Sequence, residues 1–295
     1  MKDRRVVQAD LALLLVAIIW GGGFIAGKMA LESFAVMEAL AWRFLGAAAL
    51  TGIFFHKRLL KGCRTDFMYG GILGTLAIAG QAVQMIGLNY TTPGKQAFLI
   101  MFYVVLVPFI SWILLKKRPG INAFVAGVLA LIGIALVSLS ESLTLGLGDM
   151  LSIGFAFIFG LVIVLTGVFS AKVQDVFCMT FAQMFTAGVW ALAAAFIQGS
   201  GGNYKPEAIA GVVYLAVINS FAALLIQNVA QRYTSDTHAA ILLSLEAVFG
   251  VIFSVFVYHE ILTPRMIVGF VVIFAAVLIA RMDGKLKKTP KSVSE

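Results

Sequence analysis

Residues 239–258 read AAILLSLEAVFGVIFSVFVY, an apolar run of twenty residues with one carboxylate, Glu246, well inside it. At ~1.5 Å rise per residue Glu246 would lie ~11 Å deep in a hydrocarbon layer ~30 Å thick. Insertion measurements put a central Asp, Lys or Arg at roughly 2.5 to 3.5 kcal/mol, so a buried Glu is expected to face a cavity or a partner rather than lipid. The question for the rest of the chain is which.

Composition sets the class. Of 295 residues 61% are hydrophobic and only 12% charged, with a mean hydropathy of +1.00, which no ordinary soluble domain shows. The apolar segments have the length of membrane-spanning helices, whereas barrel strands would alternate apolar and polar residues over about 10 positions. The expected fold is therefore an all-α membrane protein. Ten transmembrane helices are expected at 11–28, 34–55, 67–88, 96–115, 121–139, 148–170, 176–197, 209–230, 239–258 and 266–280. Their connections are too short for a soluble domain, so any activity must reside in the helices. The first apolar run is nearly of full span length and is read as a mature helix rather than a cleaved signal.

Lys and Arg give the orientation. With the N-terminus inside, 17 of the 22 fall on the cytoplasmic side, Lys28, Lys95, Lys205 and Arg265 fall outside, and Arg43 lies within a span. By the positive-inside rule both termini are cytoplasmic in a multi-pass protein of the cell (inner) membrane. The rule also accounts for the +8 net charge, so the basic tail at 285–295 calls for no nucleic acid and at most contacts anionic membrane lipid. Cys63 and Cys178 are far apart, and His56, His238 and His259 are scattered, so neither a disulfide nor a metal site is expected, and no cofactor.

An internal repeat is visible. A shift of 143 residues sets Gln84 on Gln227, Tyr90 on Tyr233, Thr91 on Thr234, Ala97 on Ala240 and Ser111 on Ser254. A shift of 142 sets Gly127 on Gly269, and one of 139 sets Asp10 on Asp149, Trp20 on Phe159 and Gly21 on Gly160. Five helices thus map onto five. Because five is odd, the second copy enters the membrane from the opposite face, giving two inverted five-helix repeats, 1–140 and 141–284. The basic run Lys116-Lys117-Arg118 becomes His259-Glu260 in the second copy, as that inversion requires. Inverted repeats are a device of secondary transporters, where a site between the halves can open to either face.

Polar residues follow one face of several spans. Glu246, Gly250 and Ser254 stand at i, i+4 and i+8, and the aligned positions of the fourth span are Tyr103, Val107 and Ser111. Gln81 and Gln84 share a face, as do Ser220 and Gln227, with Asn219 close by. A single Gln or Ser could simply join helices at roughly 0.6 kcal/mol per hydrogen bond. Matching sets in both halves are better explained by a wet cavity. Pro108, deep in the fourth span, removes a backbone hydrogen bond and should kink that helix, as a gating hinge or a static bend. Gly70 and Gly74 allow close helix approach, and Gly21, Gly22 and Gly23 thin the first helix for a neighbour or a ligand. Arg43 and Glu246 are estimated to differ in height by ~9 Å, too far for a direct salt bridge. Lys28 either snorkels to the interface or forms a positive patch with Arg43.

Gly146-Leu147-Gly148-Asp149 spells the GxGD of intramembrane aspartyl proteases, but no second mid-span aspartate accompanies it, and Asp149 sits at a helix start where a carboxylate is favoured. No other catalytic motif is present and ATP-driven pumping has no phosphate-binding loop, so no enzyme is expected.

Trp20-Gly21 with Phe24 and Lys28, Arg43-Phe44, Tyr90-Thr91-Thr92-Pro93-Gly94-Lys95 into Ala97-Phe98, Val107-Pro108, Glu246, and Glu260 with Gly269 together resemble EamA-type members of the drug/metabolite transporter superfamily. The resemblance covers residues about 10 to 280. It implies a ten-helix carrier with a central cavity lined by spans one to four and six to nine, moving small metabolites, commonly amino acids or related compounds, often outward, by alternating access without ATP. The chain departs from the family pattern at Lys116-Lys117-Arg118, where an acidic residue is common in the first copy. The expected substrate-binding residues are Trp20, Arg43, Gln81, Gln84, Tyr103, Asn219, Gln227 and Glu246, with Pro108 for gating and protons as a coupling partner through Glu246. The alternatives are a lipid-carrier flippase and an intramembrane enzyme. A single chain could build the whole pathway, as a monomer or within a homodimer.

Overall fold

The computed structural model describes residues 4–116, 118–138 and 146–283; the expected tail 285–295, Lys117 and the junction between the halves near residue 140 lie outside them. The described residues form helices and turns, without a strand. In chain order the helices are α1 (Arg4–Ala30), α2 (Val36–Leu59), α3 (Arg64–Leu88), α4 (Pro93–Ile100), α5 (Phe102–Leu115), α6 (Ile121–Ser138), α7 (Leu147–Ser170), α8 (Val176–Gln198), α9 (Pro206–Tyr214), α10 (Ala223–Ala230), α11 (Asp236–Leu243), α12 (Glu246–Tyr258) and α13 (Pro264–Asp283), with a π-helical segment, Leu215–Ala222, between α9 and α10. Where consecutive pieces run on as one rod, eight helices among the described residues are long and apolar enough to cross a membrane; Ile121–Val137 and Pro264–Ile279 are apolar but shorter.

Helix starts follow local chemistry. Thr92 caps α4, accepting a hydrogen bond from Lys95 N, with Pro93 in the first turn, and Ser235 caps α11 through His238 N. Asp175 does the same for α8 through Phe177 N. Carboxylates tie the turns together. Asp66, fully buried, accepts from Gln174 N at 2.9 Å and Asp175 N at 3.3 Å. Glu38 accepts from Gly201 N at 2.7 Å and from the Tyr204 hydroxyl. These contacts define two ends of the bundle, one holding the α2–α3 and α7–α8 turns and the other the α1–α2, α3–α4 and α8–α9 turns.

The repeat is written into the helix boundaries. The fourth span is interrupted at Met101 and its counterpart at Ser244-Leu245; α4 and α11, and α5 and α12, begin and end 143 or 144 residues apart. Both α5 and α12 end on a left-handed residue, Lys116 (φ 57°) and His259 (φ 51°), which are the described non-glycine residues with positive φ. The interruption is not at Pro108. Helix α5 runs through the proline, and the break falls seven residues earlier, where Met101 N turns back to Phe98 O at 3.2 Å and Val104 N to Met101 O at 2.9 Å. Tight i→i−3 turns of this kind replace the regular ladder at both breaks.

Packing is close where glycines permit it. A Cβ on Gly70 would stand 2.2 Å from Met179 O and one on Gly74 2.4 Å from Gln183 O, so α3 lies on the backbone of α8. A Cβ on Gly21 would stand 2.5 Å from Phe249 Cβ and 2.9 Å from Gly250 N, so what the thinned first helix admits at that residue is α12. The largest buried cluster joins α1, α4, α5, α7, α11 and α12 with α6 and α13 on its flank.

Candidate functional site

Between these helices lies a cavity lined by Trp20, Arg43, Gln81, Gln84, Asn219, Gln227 and Glu246, seven of the eight residues expected from sequence, together with Gln96, Gln183 and the aromatic rings of Phe24, Phe155 and Phe159. The space open to the centre of a water molecule is about 70 Å³, several times the ~10–15 Å³ that one water requires. Tyr103 does not line the cavity. It is fully buried, interacts with Glu246, and packs edge-on against Phe159 with centroids 5.0 Å apart.

Arg43, 7% exposed on α2, is held at all three nitrogens: Nε donates to Ser220 Oγ, Nη1 to Gln81 Oε1 and Nη2 to Asn219 Oδ1, each at 2.7 Å. All three acceptors are neutral, and no ion pair with Arg43 occurs among the described residues. Burying a guanidinium with three of its five N–H donors engaged by neutral groups and its charge unbalanced is costly unless something anionic joins it. Glu246, 3% exposed in the first turn of α12, has no cationic partner among the described residues either; its Oε1 makes no hydrogen bond of good geometry, and the polar group beside it is the buried Tyr103 hydroxyl. Direct pairing of Arg43 with Glu246, which the sequence leaves possible if the span edges shift, is not found among the described ion pairs.

Two of Arg43's partners come from the π-helical segment. There the extra residue per turn brings Asn219 and Ser220 to Arg43 together, and Trp20 Nε1 donates to Asn219 O at 3.1 Å. A Cβ on Gly23 would stand 2.2 Å from Asn219 Nδ2, so the first helix must be bare there to admit the amide. π-Turns inside helices recur at functional sites.

Repeat-related residues meet at the cavity and just behind its wall. Trp20 and Phe159 touch edge to face at 5.6 Å, and Tyr103 faces Glu246. Gln183 was not singled out from sequence, although a shift of 140, the separation of the α2 and α8 starts, sets it on Arg43. It is buried and accepts from Asn228 Nδ2 at 2.9 Å. Gln96 was also missed; its Nε2 donates to Gln84 O at 2.9 Å and its Oε1 has no partner. Lys28 is outside the site: its Nζ donates to Leu88 O at 2.8 Å, so it caps the end of α3 and forms no patch with Arg43. Asp149 lies in the first turn of α7 and pairs with Lys95 at 2.8 Å. Glu260 caps the start of α4, accepting from Thr92 Oγ1, from Gly94 N at 3.0 Å and from Ser254 Oγ.

A second, apolar cleft of about 720 Å³ opens beside α1 and α10, lined by Arg5, Gln8, Ala9, Phe55, Phe177 and Val229 among others. Helix α10 stands between the two spaces, presenting Leu224 and Gln227 to the cavity and Leu225, Ile226 and Val229 to the cleft.

Comparisons with known proteins agree with this architecture. The EamA-like transporter family model matches twice, over residues 7–139 and 146–282, so the duplication extends over nearly the whole chain. Two proteins of Archaeoglobus fulgidus, each called an "uncharacterized transporter", are similar to it. One is 34% identical over 280 residues, covering 94% of this chain and 86% of that protein. The other is 26% identical over 268 residues, covering 86% and 90%. A solved crystal structure superposes with a TM-score of 0.70 over 96% of this chain and 99% of that one, at 13% identity, a likeness of fold alone. A doubled family match spanning the polar cavity leaves one conclusion: this chain is a multi-pass membrane protein belonging to the EamA-like transporter family.

Proposed function

We propose that the chain is a secondary transporter that carries an amino acid or related small metabolite outward across the cell inner membrane by alternating access. The observation that carries this reading is the cavity between the two halves, which holds one buried cation and one buried carboxylate that do not neutralise each other. A zwitterion with its carboxylate toward Arg43 and its ammonium toward Glu246 and Tyr103 would balance both charges, with Trp20, Phe24, Phe155 and Phe159 offering apolar surface to its side chain. The guanidinium suits a carboxylate because it is planar and already oriented by its three hydrogen bonds.

In this reading the chain crosses the membrane ten times, α6 and α13 being the fifth crossing of each half. The halves, 1–140 and 141–284, are inverted copies with both termini cytoplasmic, the pathway lies within one chain, and Pro108 serves the gating movement. Equivalent breaks at Met101 and Ser244-Leu245 support the inversion, since they put interrupted helices of both halves beside the cavity. Glu246 is the residue for proton coupling, supported by its burial and its free Oε1. The lipid-carrier alternative needs a lateral opening that reaches the polar site; the apolar cleft lies on the other side of α10.

A thermal-shift screen of the purified protein against amino acids, nucleosides, organic phosphates and cationic drugs tests the substrate class, because a ligand that binds the folded state raises the melting temperature. Stabilisation by amino acids, lost in Arg43→Met, is expected. Stabilisation by organic cations alone would overturn the assignment.

A further inference from the structure

Two polar pairs stand at opposite ends of the bundle and are images of one another under the repeat. At the end with the α3–α4 turn, Lys95 Nζ of α4 is 2.8 Å from Asp149 Oδ2 of α7. At the other end, His238 Nε2 of α11 is 2.9 Å from Asp10 Oδ1 of α1. The shift of 143 that superposes α4 on α11 carries Lys95 onto His238, and the shift of 139 that carries Trp20 onto Phe159 carries Asp10 onto Asp149. Each pair therefore links the short helix before a break to the leading helix of the other half.

Neither pair is needed to cap its helix. Thr92 and Ser235 already accept the amides of Lys95 and His238. Both pairs are shielded, with side chains 23% and 3% exposed in the first and 27% and 19% in the second, unlike the open Lys205–Glu32 pair at 58% and 44%. The starts of α4 and α11 are held by these pairs, α4 also by Glu260, and each helix is interrupted at its other end, so each can swing as a short lever about its break when the contacts at its start part. The cavity with Arg43 and Glu246 lies between the two levers.

We infer that Lys95–Asp149 and His238–Asp10 are equivalent latches, one for each face, which open in turn to admit and release the transported molecule. The inference rests on the transport reading above. The latches differ in strength: Lys95 brings a full charge, whereas His238 is charged only when protonated. The 720 Å³ cleft is lined by Ala9 beside Asp10 and by Tyr233 before α11, across α10 from the cavity.

The test is accessibility of the cavity from each face. Ala77, which lines the cavity, is replaced by cysteine in a Cys63→Ser/Cys178→Ser background, the full chain is placed in vesicles, and a membrane-impermeant maleimide is applied from either side. Asp149→Asn should raise labelling from the Lys95 face at least about five-fold and lower it from the other, and His238→Ala should do the reverse. The exchange Lys95→Asp with Asp149→Lys should restore the parent pattern, which a merely structural loss would not allow. Lys95→Gln, the more exposed partner, gives the same reading if Asp149→Asn does not fold. Labelling unchanged, or raised equally from both faces, overturns the inference. The assay needs no substrate, so opposite shifts in a protein that transports nothing would leave the latches standing and refute the transport reading alone.

Discussion

The approach of α1 to α12 sets the distance between Trp20 and Glu246, and a single methyl group measures how firmly that distance is fixed. In Gly21→Ala the new Cβ meets Phe249 Cβ at 2.5 Å, Gly250 N at 2.9 Å and Glu246 O at 3.0 Å. Ordinary contact needs ~3.5–4.0 Å, so the two backbones must part by about 1 Å. Two of the three obstacles are main-chain atoms, which cannot rotate aside. Overpacking of this kind costs roughly 1–3 kcal/mol, against a gain of about 0.5–1 kcal/mol for alanine over glycine in a helix. The expected net loss is up to about 2.5 kcal/mol, read as a lower thermal midpoint in detergent. Gly154→Ala is the control: its Cβ meets Val83 Cγ1 at 3.8 Å, an ordinary contact, so only the helix gain applies. Ligand affinity should fall in Gly21→Ala and hold in Gly154→Ala. Equal melting and equal affinity in the two variants would refute the claim that the α1–α12 approach positions the site.

Other consequences follow from the same geometry. Arg43→Met removes the guanidinium and should weaken a carboxylate ligand about 10- to 150-fold, the worth of a charge-assisted hydrogen bond of ~1.5–3 kcal/mol, as read by titration calorimetry. Glu246→Gln should weaken ligand binding, since it removes the charge facing the ammonium, and should abolish acceleration of transport by a pH gradient in proteoliposomes; an intact gradient response would remove Glu246 from the coupling step. Glu260→Ala deprives Thr92, Gly94 N and Ser254 of their acceptor and should cost about 1–3 kcal/mol of stability, while Glu260→Gln should recover part of it.

Hydropathy and the repeat made the helices, and seven of the cavity's polar residues, readable from sequence, because a charge or amide inside an apolar span has few places to go. Geometry that depends on backbone detail was not readable. The π-helical turn that delivers Asn219 and Ser220 to Arg43 changes the register by one residue and leaves no compositional trace. The break at Met101 is marked by no proline or glycine and becomes recognisable only beside its counterpart at Ser244-Leu245, seven residues from the Pro108 that the sequence singles out. Gln183 was within reach: shifts of 139 for the first helices and 143 for the later ones bracket the 140 that sets it on Arg43. Lys28 could have gone either way on sequence, and only the position of the α3 end decided it.

If one cavity serves both faces in turn, the protein must show counterflow. Proteoliposomes are loaded with an excess of the ligand found by thermal shift and diluted into a trace of the same compound in labelled form, with no ATP and no ion gradient. An alternating-access carrier should accumulate label transiently above its equilibrium level, and Arg43→Met should abolish the overshoot. A ligand that stabilises the protein yet enters only to equilibrium, without an overshoot, would contradict the account.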